Sequence, residues 1–300
     1  MSLSIGLHVG AHKTATTHLQ RLLGKSGREL AAHGVRYVGP SGLRAPGAGF
    51  RDRLGLTAEA RRAGRTPAAG LVEMTDAGAT RLVISEENLP GQLRLRGGGT
   101  IPTVYPTAGR RIGEIVEAVA PVPVDLFLAV RNPVDFVASY YSQALTAGHI
   151  QPFADFLEAN PIDRIDWLGL VQRLMRRARP RSLTVWRYED YKRVAPGVLT
   201  RLVGEGPRLR LRGQMSAVNT GLSVEAVEHV LAAHAAGHRG DLVAEARALY
   251  PLGSGRRRFQ PYSGRERAAS RTWYAEQMAR IAEVPGVHVL VPPPPVTGRG

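Results

Sequence analysis

Residues 8–18 read HVGAHKTATTH and directly follow the apolar run LSIGL. A short apolar run with a glycine behind it reads as a buried strand, and the lysine and hydroxyls that come next read as a loop opening a helix. Such a loop suits an anion. The first N–H groups of a helix have no partner inside it and carry a partial positive charge, so an anion docked there gains several hydrogen bonds at once. Lys13 adds a full charge, and Thr16 and Thr17 add hydroxyl donors. The stretch does not satisfy the nucleotidase pattern G-x-x-x-x-G-K-[ST], because counting from Gly10 puts Ala15 at the second glycine and Thr16 at the lysine. Alone it is equally compatible with a plain strand-to-helix turn in which Thr14 or Thr16 caps the helix.

Working outward, SLSIGLHV (2–9) is a buried parallel strand and THLQRLLGKSGRELAAHG (17–34) a helix with Leu19, Leu22, Leu23 and Leu30 at helical spacing, closed by Gly34. VRYV (35–38) is a second strand. Residues 39–67, rich in Gly, Pro and Arg, read as an irregular excursion facing the substrate. TRLVISEENL (80–89) is a strand with a polar turn, 91–105 a glycine-rich loop, and RRIGEIVEAVA (110–120) a helix with Ile112, Ile115, Val116 and Val119 on one face. VDLFLAV (124–130) is the central strand; Pro133 then starts a helix, and SLTVWRYED (182–190) is a further strand with an acidic end. Alternating strands and helices predict an α/β fold: a central, mostly parallel sheet flanked by helices, like that of the phosphate-loop nucleotidases, with a helical C-terminal region. A single domain over 1–300 is expected. Within it, 1–190 is the α/β core, and 195–291 is mostly helical, with helices at 223–236, 241–249 and 264–283. Ligands of such sheets sit at the carboxyl ends of strands, where AHKTATT, SEEN, RNP and YED all fall.

The composition narrows the class. An apolar fraction of 43% with 22% charged residues is that of a globular chain, and no run approaches the ~18 apolar residues of a membrane span. The N-terminus carries no basic region and small-residue cleavage site, so a cytoplasmic location is expected. Zero cysteines exclude disulfides, thiolate metal sites and a cysteine nucleophile. Forty Lys and Arg against 25 Asp and Glu leave +15, enough to attract a polyanion by field alone. The arginines are scattered and no nucleic-acid recognition motif accompanies them, so no nucleic-acid partner is expected, while peripheral contact with acidic surfaces stays open.

A second segment pairs with the loop. In LFLAVRNPVDFVASYYSQ, Arg131 leaves a strand end and Ser139 lies eight residues on, about two turns into the following helix. Arginine's planar fork suits a phosphate dianion. Read separately, Arg131 pairs with Asp135 or Asp155 and Ser139 is a small residue at a helix contact. Together, KTATT (13–17) and RNPVDFVAS (131–139) resemble the sulfotransferases that use 3′-phosphoadenosine 5′-phosphosulfate (PAPS), in motif order, spacing and context. The likeness runs through LVISEENL and VWRYED, covers about residues 3–190 and is nearest to the bacterial branch. The resemblance implies that the loop, His12, Lys13, Thr14, Ala15, Thr16, Thr17 and His18, holds the 5′-phosphosulfate end of PAPS, that Arg131 and Ser139 hold the 3′-phosphate, and that no metal is needed. It implies sulfuryl transfer to an alcohol, with Lys13 stabilising the leaving phosphate. Glu87 is the base, with Glu86 as the alternate. The family's loop glycine is Ala15 here, which is costly if that residue has a positive φ.

Of the histidines near the loop, His8 points back into the strand, and His12 and His18 face the donor without being expected to catalyse. His234 and His238 have metal spacing but no third ligand and read as a solvated face. YED (188–190) is scaffold, VNTGLS (218–223) leads to a capped helix, and GSGRRRFQPYSGRER (253–267) is either a solvated loop or a flap whose arginines close over the 3′-phosphate or an acidic acceptor. The acceptor is a small-molecule, glycan or lipid alcohol, and the motifs carry no information on oligomeric state. Two other readings remain at this stage: a nucleotide-dependent kinase, which shares sheet and loop, and a non-catalytic basic module for nucleic acid or acidic lipid.

Overall fold

The structure, a computed structural model, describes residues 2–91, 103–204, 221–253 and 255–294. The expected α/β class is what it holds: one six-stranded sheet in the order β2-β3-β1-β4-β5-β6, every pairing parallel. The strands are β1 Ser4–His8, β2 Val35–Val38, β3 Arg81–Ser85, β4 Val124–Val130, β5 Ser182–Arg187 and β6 Val287–Leu290. From β1 the chain crosses outward to β2 and β3 on one side, then returns past β1 to lay down β4, β5 and β6 on the other. That reversal opens a crevice at the carboxyl ends of β1 and β4, where open sheets bind ligands.

All seven residues of β4 are buried, as a central strand covered on both faces requires. Its side chains alternate between two cores: Leu126, Leu128 and Val130 join one, while Phe127 and Ala129 join the other with Val83 and Trp186. The helices are α1 Thr16–Lys25, α2 Gly27–Ala32, α3 Pro40–Leu43, α4 Phe50–Arg53, α5 Ala58–Arg62, α6 Pro67–Met74, α7 Ala108–Ala118, α8 Pro133–Thr146, α9 Phe153–Ala159, α10 Trp167–Arg173, α11 Tyr191–Val203, α12 Val224–Ala235, α13 Leu242–Leu249 and α14 Gly264–Ala282. Leu19, Leu22 and Leu23 of α1 pack with Val198, Leu199 and Leu202 of α11 on one face of the sheet; α7, α8 and α10 fill the other.

Three expectations need correction. The helix read as 17–34 is two, broken at Ser26, whose N–H still reaches the Leu22 and Leu23 carbonyls; Gly34 does stop the second half, with φ 71°. The excursion at 39–67 is not irregular but carries four short helices. Thr57 and Thr66 cap two of them by accepting from the N–H of Ala60 and Ala69, and Pro67 takes the first helical position, a start signal the composition had masked. The helical C-terminal part ends in β6, a half-exposed edge strand of four residues. The glycine-rich loop at 91–105 falls mostly outside the described residues, as do 218–220 of VNTGLS, but Ser223 does cap α12 by accepting from the Ala226 N–H. His234 and His238 are both exposed.

At the end of the sheet away from the crevice, a buried ion cluster sews three strands together. Arg81 on β3 reaches across β1 to Asp125 on β4 (Nη1 to Oδ2, 2.7 Å) and donates from Nε to the Leu202 carbonyl. Its path lies over Gly6, where a Cβ would come within 2.8 Å of the guanidinium and of the Leu202 carbonyl, so only glycine fits. Arg181 and Ser182 also donate to Asp125. A carboxylate this engaged is worth most as a partner, since removing it strands a buried guanidinium. Asp125→Ala is expected to cost about 3–5 kcal/mol of folding stability, read from the shift in urea midpoint.

Candidate functional site

The carboxyl ends of β1, β3, β4 and β5 deliver HKTATTH, SEEN, RNP and YED to one cleft of about 700 Å³. Its floor is the loop from His12 to His18. Thr14 is buried and donates to the Ala11 carbonyl at 2.5 Å, which closes the turn, and α1 begins at Thr16 without a side-chain cap. The backbone N–H groups of Lys13, Ala15, Thr16 and Thr17 donate to no group among the described residues. Thr16 Oγ1 is buried and equally without a partner. Buried donors without acceptors are rare in folded proteins and mark a place where a ligand completes the bonding.

The turn is strained. Lys13 has φ 66° and Ala15 φ 61°, both left-handed. That conformation costs a residue with a Cβ roughly 1–2 kcal/mol, so the substitution of glycine by Ala15 noted above carries its full cost in this fold. These two left-handed residues bend the chain between β1 and α1 at the floor of the cleft.

Arg131 reaches this floor from the end of β4. Its Nη1 donates to the Lys13 carbonyl at 3.0 Å, its guanidinium lies 4.6 Å from the centre of the Tyr188 ring, and Trp167 donates from Nε1 to its carbonyl. Asn132 next to it caps α8 by accepting from the Val134 N–H. Glu189 holds that junction, accepting from the Asn132 N–H (2.8 Å) and the Tyr274 hydroxyl (3.2 Å), so YED serves as scaffold except for Tyr188, which faces the cleft. Arg131 Nε is buried with no partner. Along α8, residues 135, 138, 139, 142, 143 and 146 line the cleft, a 3-1-3-1-3 spacing that is one helix face. Ser139 is among them; the Ser142 hydroxyl is occupied by the Ala138 carbonyl and that of Thr146 by the Ser142 carbonyl.

Six cations line the cleft, Lys13, Arg44, Arg131, Lys192, Arg247 and Arg258, against the carboxylates Glu87 and Asp135. Among the described residues only Arg44 of the six forms a salt bridge. Burial first, and then repulsion from Arg131 and Arg247, holds the Lys13 ammonium below the usual lysine range, against a smaller opposing pull from Glu87. Lys192 and Arg247 carried no sequence signal. Arg258 belongs to the basic run at 253–267 and is the one arginine of that run to line the cleft, beside Phe259 and Gln260: Arg256 stacks on Tyr250, and the Arg257 carbonyl accepts from Val224 in the backbone pairing that places Arg258 beside Ser223.

The two glutamates at the end of β3 separate. Glu87 lines the cleft, accepting from Gln20 Nε2 (2.9 Å) and Arg44 Nη2 (2.7 Å). Burial raises its pKa, but the bonds from Gln20 and Arg44 outweigh that and leave it below the usual glutamate value. Glu86 is placed differently. It is buried, is no part of the cleft wall, and accepts from Arg44 Nε (2.9 Å) and Nη2 (3.0 Å) and from the N–H (3.1 Å) and Nδ2 (2.8 Å) of Asn88.

The histidines are committed. The His12 N–H donates to the Tyr105 hydroxyl (2.9 Å), whose own proton then goes to His12 Nδ1 (2.7 Å) and leaves Nε2–H for Asn88 Oδ1 (3.2 Å). That chain defines a neutral ring, and burial lowers its pKa further. His18 lines the cleft with Nδ1 on the Tyr191 hydroxyl at 3.0 Å. His8 is buried inside β1 against Ser85 and Trp186, as its place in the strand implied, and burial pushes its pKa down to about 4.

No family model and no curated protein matches the chain. Among solved structures it is similar to a sulfotransferase from Alicyclobacillus acidocaldarius at 15% identity, over 83% of this chain and 96% of that one, with a TM-score of 0.40. It is also similar to retinol dehydratase in a complex with retinol and PAP (15% identity, 93% and 82% coverage, TM-score 0.38) and to retinol dehydratase with androsterone and the inactive cofactor PAP (14%, 93% and 81%, 0.36).

Two measurements check this geometry. Ala15→Gly relieves the left-handed strain and is expected to raise stability by about 1 kcal/mol, seen as an upward shift in thermal midpoint. His8 is kept neutral in the fold while an unfolded histidine protonates near 6.5, so its contribution is complete above that pH and is lost as pH falls from 6.5 to about 4. The loss is on the order of 3 kcal/mol, and His8→Phe flattens that part of a plot of urea midpoint against pH.

Proposed function

We propose that the protein transfers a sulfuryl group from PAPS to the hydroxyl of an acceptor. One observation carries the reading: two sets of donors without an acidic partner, the β1–α1 turn with Lys13 and Arg131 after β4 together with Ser139 of α8, meet in one cleft although their motifs lie more than a hundred residues apart. A ligand with anionic groups at two points, phosphosulfate at one end and a 3′-phosphate at the other, matches that division. The orphaned Thr16 Oγ1 and the free N–H groups of the turn fit the first, and Arg131, whose buried Nε has no partner and which forms no salt bridge among the described residues, fits the second.

In this reading Lys13, the amides of Ala15 to Thr17 and the start of α1 hold the 5′ end, and Arg131 with Ser139 holds the 3′-phosphate, with Arg258 and Lys192 adding field. The bound donor supplies the sulfuryl group, whose bond to the bridging oxygen breaks with its electron pair retained on the 5′-phosphate. Lys13 and the turn amides neutralise that growing charge from fixed positions, the effect that dominates in such transfers. Glu87 takes the proton of the acceptor hydroxyl. A carboxylate held below the usual range suffices, because the acceptor oxygen becomes strongly acidic as it bonds to sulfur. His12 holds the turn and does not act as base, since both ring nitrogens are engaged.

The acceptor is an alcohol of small-molecule, glycan or lipid type, seated where Arg44, Glu87 and the C-terminal half of α8 meet. A nucleotide kinase would use the same crevice, but the loop lacks the lysine and glycine of the nucleotidase pattern. The experiment is a calorimetric titration with adenosine 3′,5′-bisphosphate, without metal, beside one with Mg-ATP. Tight binding of the bisphosphate, weakened on the order of tenfold or more in Arg131→Ala, is expected. Lys13→Ala is expected to lose on the order of 10²-fold or more in kcat. Binding of Mg-ATP with none of the bisphosphate would put the kinase reading in its place.

A further inference from the structure

Arg44 stands just past α3, between β2 and β3, and lays one guanidinium across two consecutive carboxylates. Nε and Nη2 grip Glu86 while Nη2 also reaches Glu87. The partners have unequal surroundings. Glu86 is 6% exposed and further tied by both nitrogens of Asn88, whereas Glu87 opens to the cleft. Arg44 itself is half-exposed, so its place is set by the buried glutamate and not by packing of its own stem.

Neighbouring carboxylates do not ionise together without help. Left facing one another, like charges push one of the two pKa values up. Of the other described titratable groups that act on Glu87, which are Lys13, His8, His12, Tyr37 and Tyr105, only Lys13 carries a full charge. His12 and His8 are held neutral by burial, and Tyr37 keeps its proton because burial and both glutamates push its pKa up.

We propose that Arg44 is a positioning residue for proton transfer: anchored on Glu86, it screens Glu87 from that neighbour, keeps Glu87 ionised and sets the direction of its carboxylate in the cleft. This rests on Glu87 being the proton acceptor of the reaction proposed above. Glu86 gains a role in turn. It is the fixed post that keeps Arg44 at the cleft, and the segment between β2 and β3 is thereby tied to the reacting end of the site.

The test is a ¹³C NMR titration of the Glu87 side-chain carboxyl in the full-length protein, its resonance identified by its loss in Glu87→Gln. In Arg44→Gln the Glu87 midpoint is expected to rise by about one unit or more, within the range that an adjacent opposite charge produces. Adding Glu86→Gln to Arg44→Gln removes the repelling carboxylate and brings the midpoint back down. Arg44→Lys keeps the charge without the fork and falls between. The acid limb of kcat/KM, followed as bisphosphate release from PAPS with benzyl alcohol as acceptor, moves up with the midpoint in Arg44→Gln. A midpoint that moves by less than about 0.3 unit in both Arg44→Gln and Arg44→Lys overturns the proposal, whatever the identity of the base. Failure of the base reading shows separately, as full turnover in Glu87→Gln.

Discussion

A single hydrogen bond ties the two halves of this site: Arg131, at the end of the central strand, donates to the carbonyl of Lys13, in the turn after the first strand. The bond matters because both residues are cations crowded into a partly buried cleft, and such a pair repels unless each is held by something other than its charge. Arg131 is held by the Tyr188 ring and by the backbone junction that Trp167, Asn132 and Glu189 build around it. Lys13 is held by a left-handed backbone turn closed by Thr14. Each motif thus spends local strain or buried polar bonding to keep a positive charge where no carboxylate neutralises it.

This arrangement depends on the sheet. Parallel strands carry all their carboxyl ends to one edge, and the reversal of strand order beside β1 leaves a gap there. The opposite edge has the reverse character. There Asp125 is shared by Arg81 and Arg181 over Gly6, so the buried carboxylate and the buried Arg81 guanidinium find their partners within the protein. Cations without a carboxylate partner at one end of the strands, and an ion cluster bonded within the protein at the other, distinguish the part of the fold available for binding from the part that provides stability.

The adjacent glutamates show how environment divides two identical side chains. Both leave the end of β3, yet Glu86 turns into the protein and is saturated with donors while Glu87 meets the cleft. Arg44 comes from the segment that composition alone made look unstructured. Short capped helices give that segment enough order to aim a guanidinium, and Thr57 and Thr66-Pro67 were the local signals of it.

Most of the sheet was legible without coordinates. Buried parallel strands are continuous apolar runs, helices repeat at 3.6, and Lys13, Thr16 and Arg131 could be singled out because anion chemistry calls for those residue types at strand ends and helix starts, whereas Ser139, two turns into its helix, stood out only through the resemblance to a known motif. Edge strand β6 was missed because four half-exposed residues carry little pattern, and the break at Ser26 because apolar spacing continues across it. What only tertiary structure decided is which side chains converge. Lys192 and Arg247 reach the cleft from helices whose local sequence gives no reason for it. The positive φ of Ala15 follows from the turn's closure and not from alanine's preference, and the separation of Glu86 from Glu87 depends on an arginine some forty residues earlier. Periodicity and residue chemistry are local properties and survive in the sequence; proximity, and with it burial, charge balance and acidity, is created only when distant segments pack.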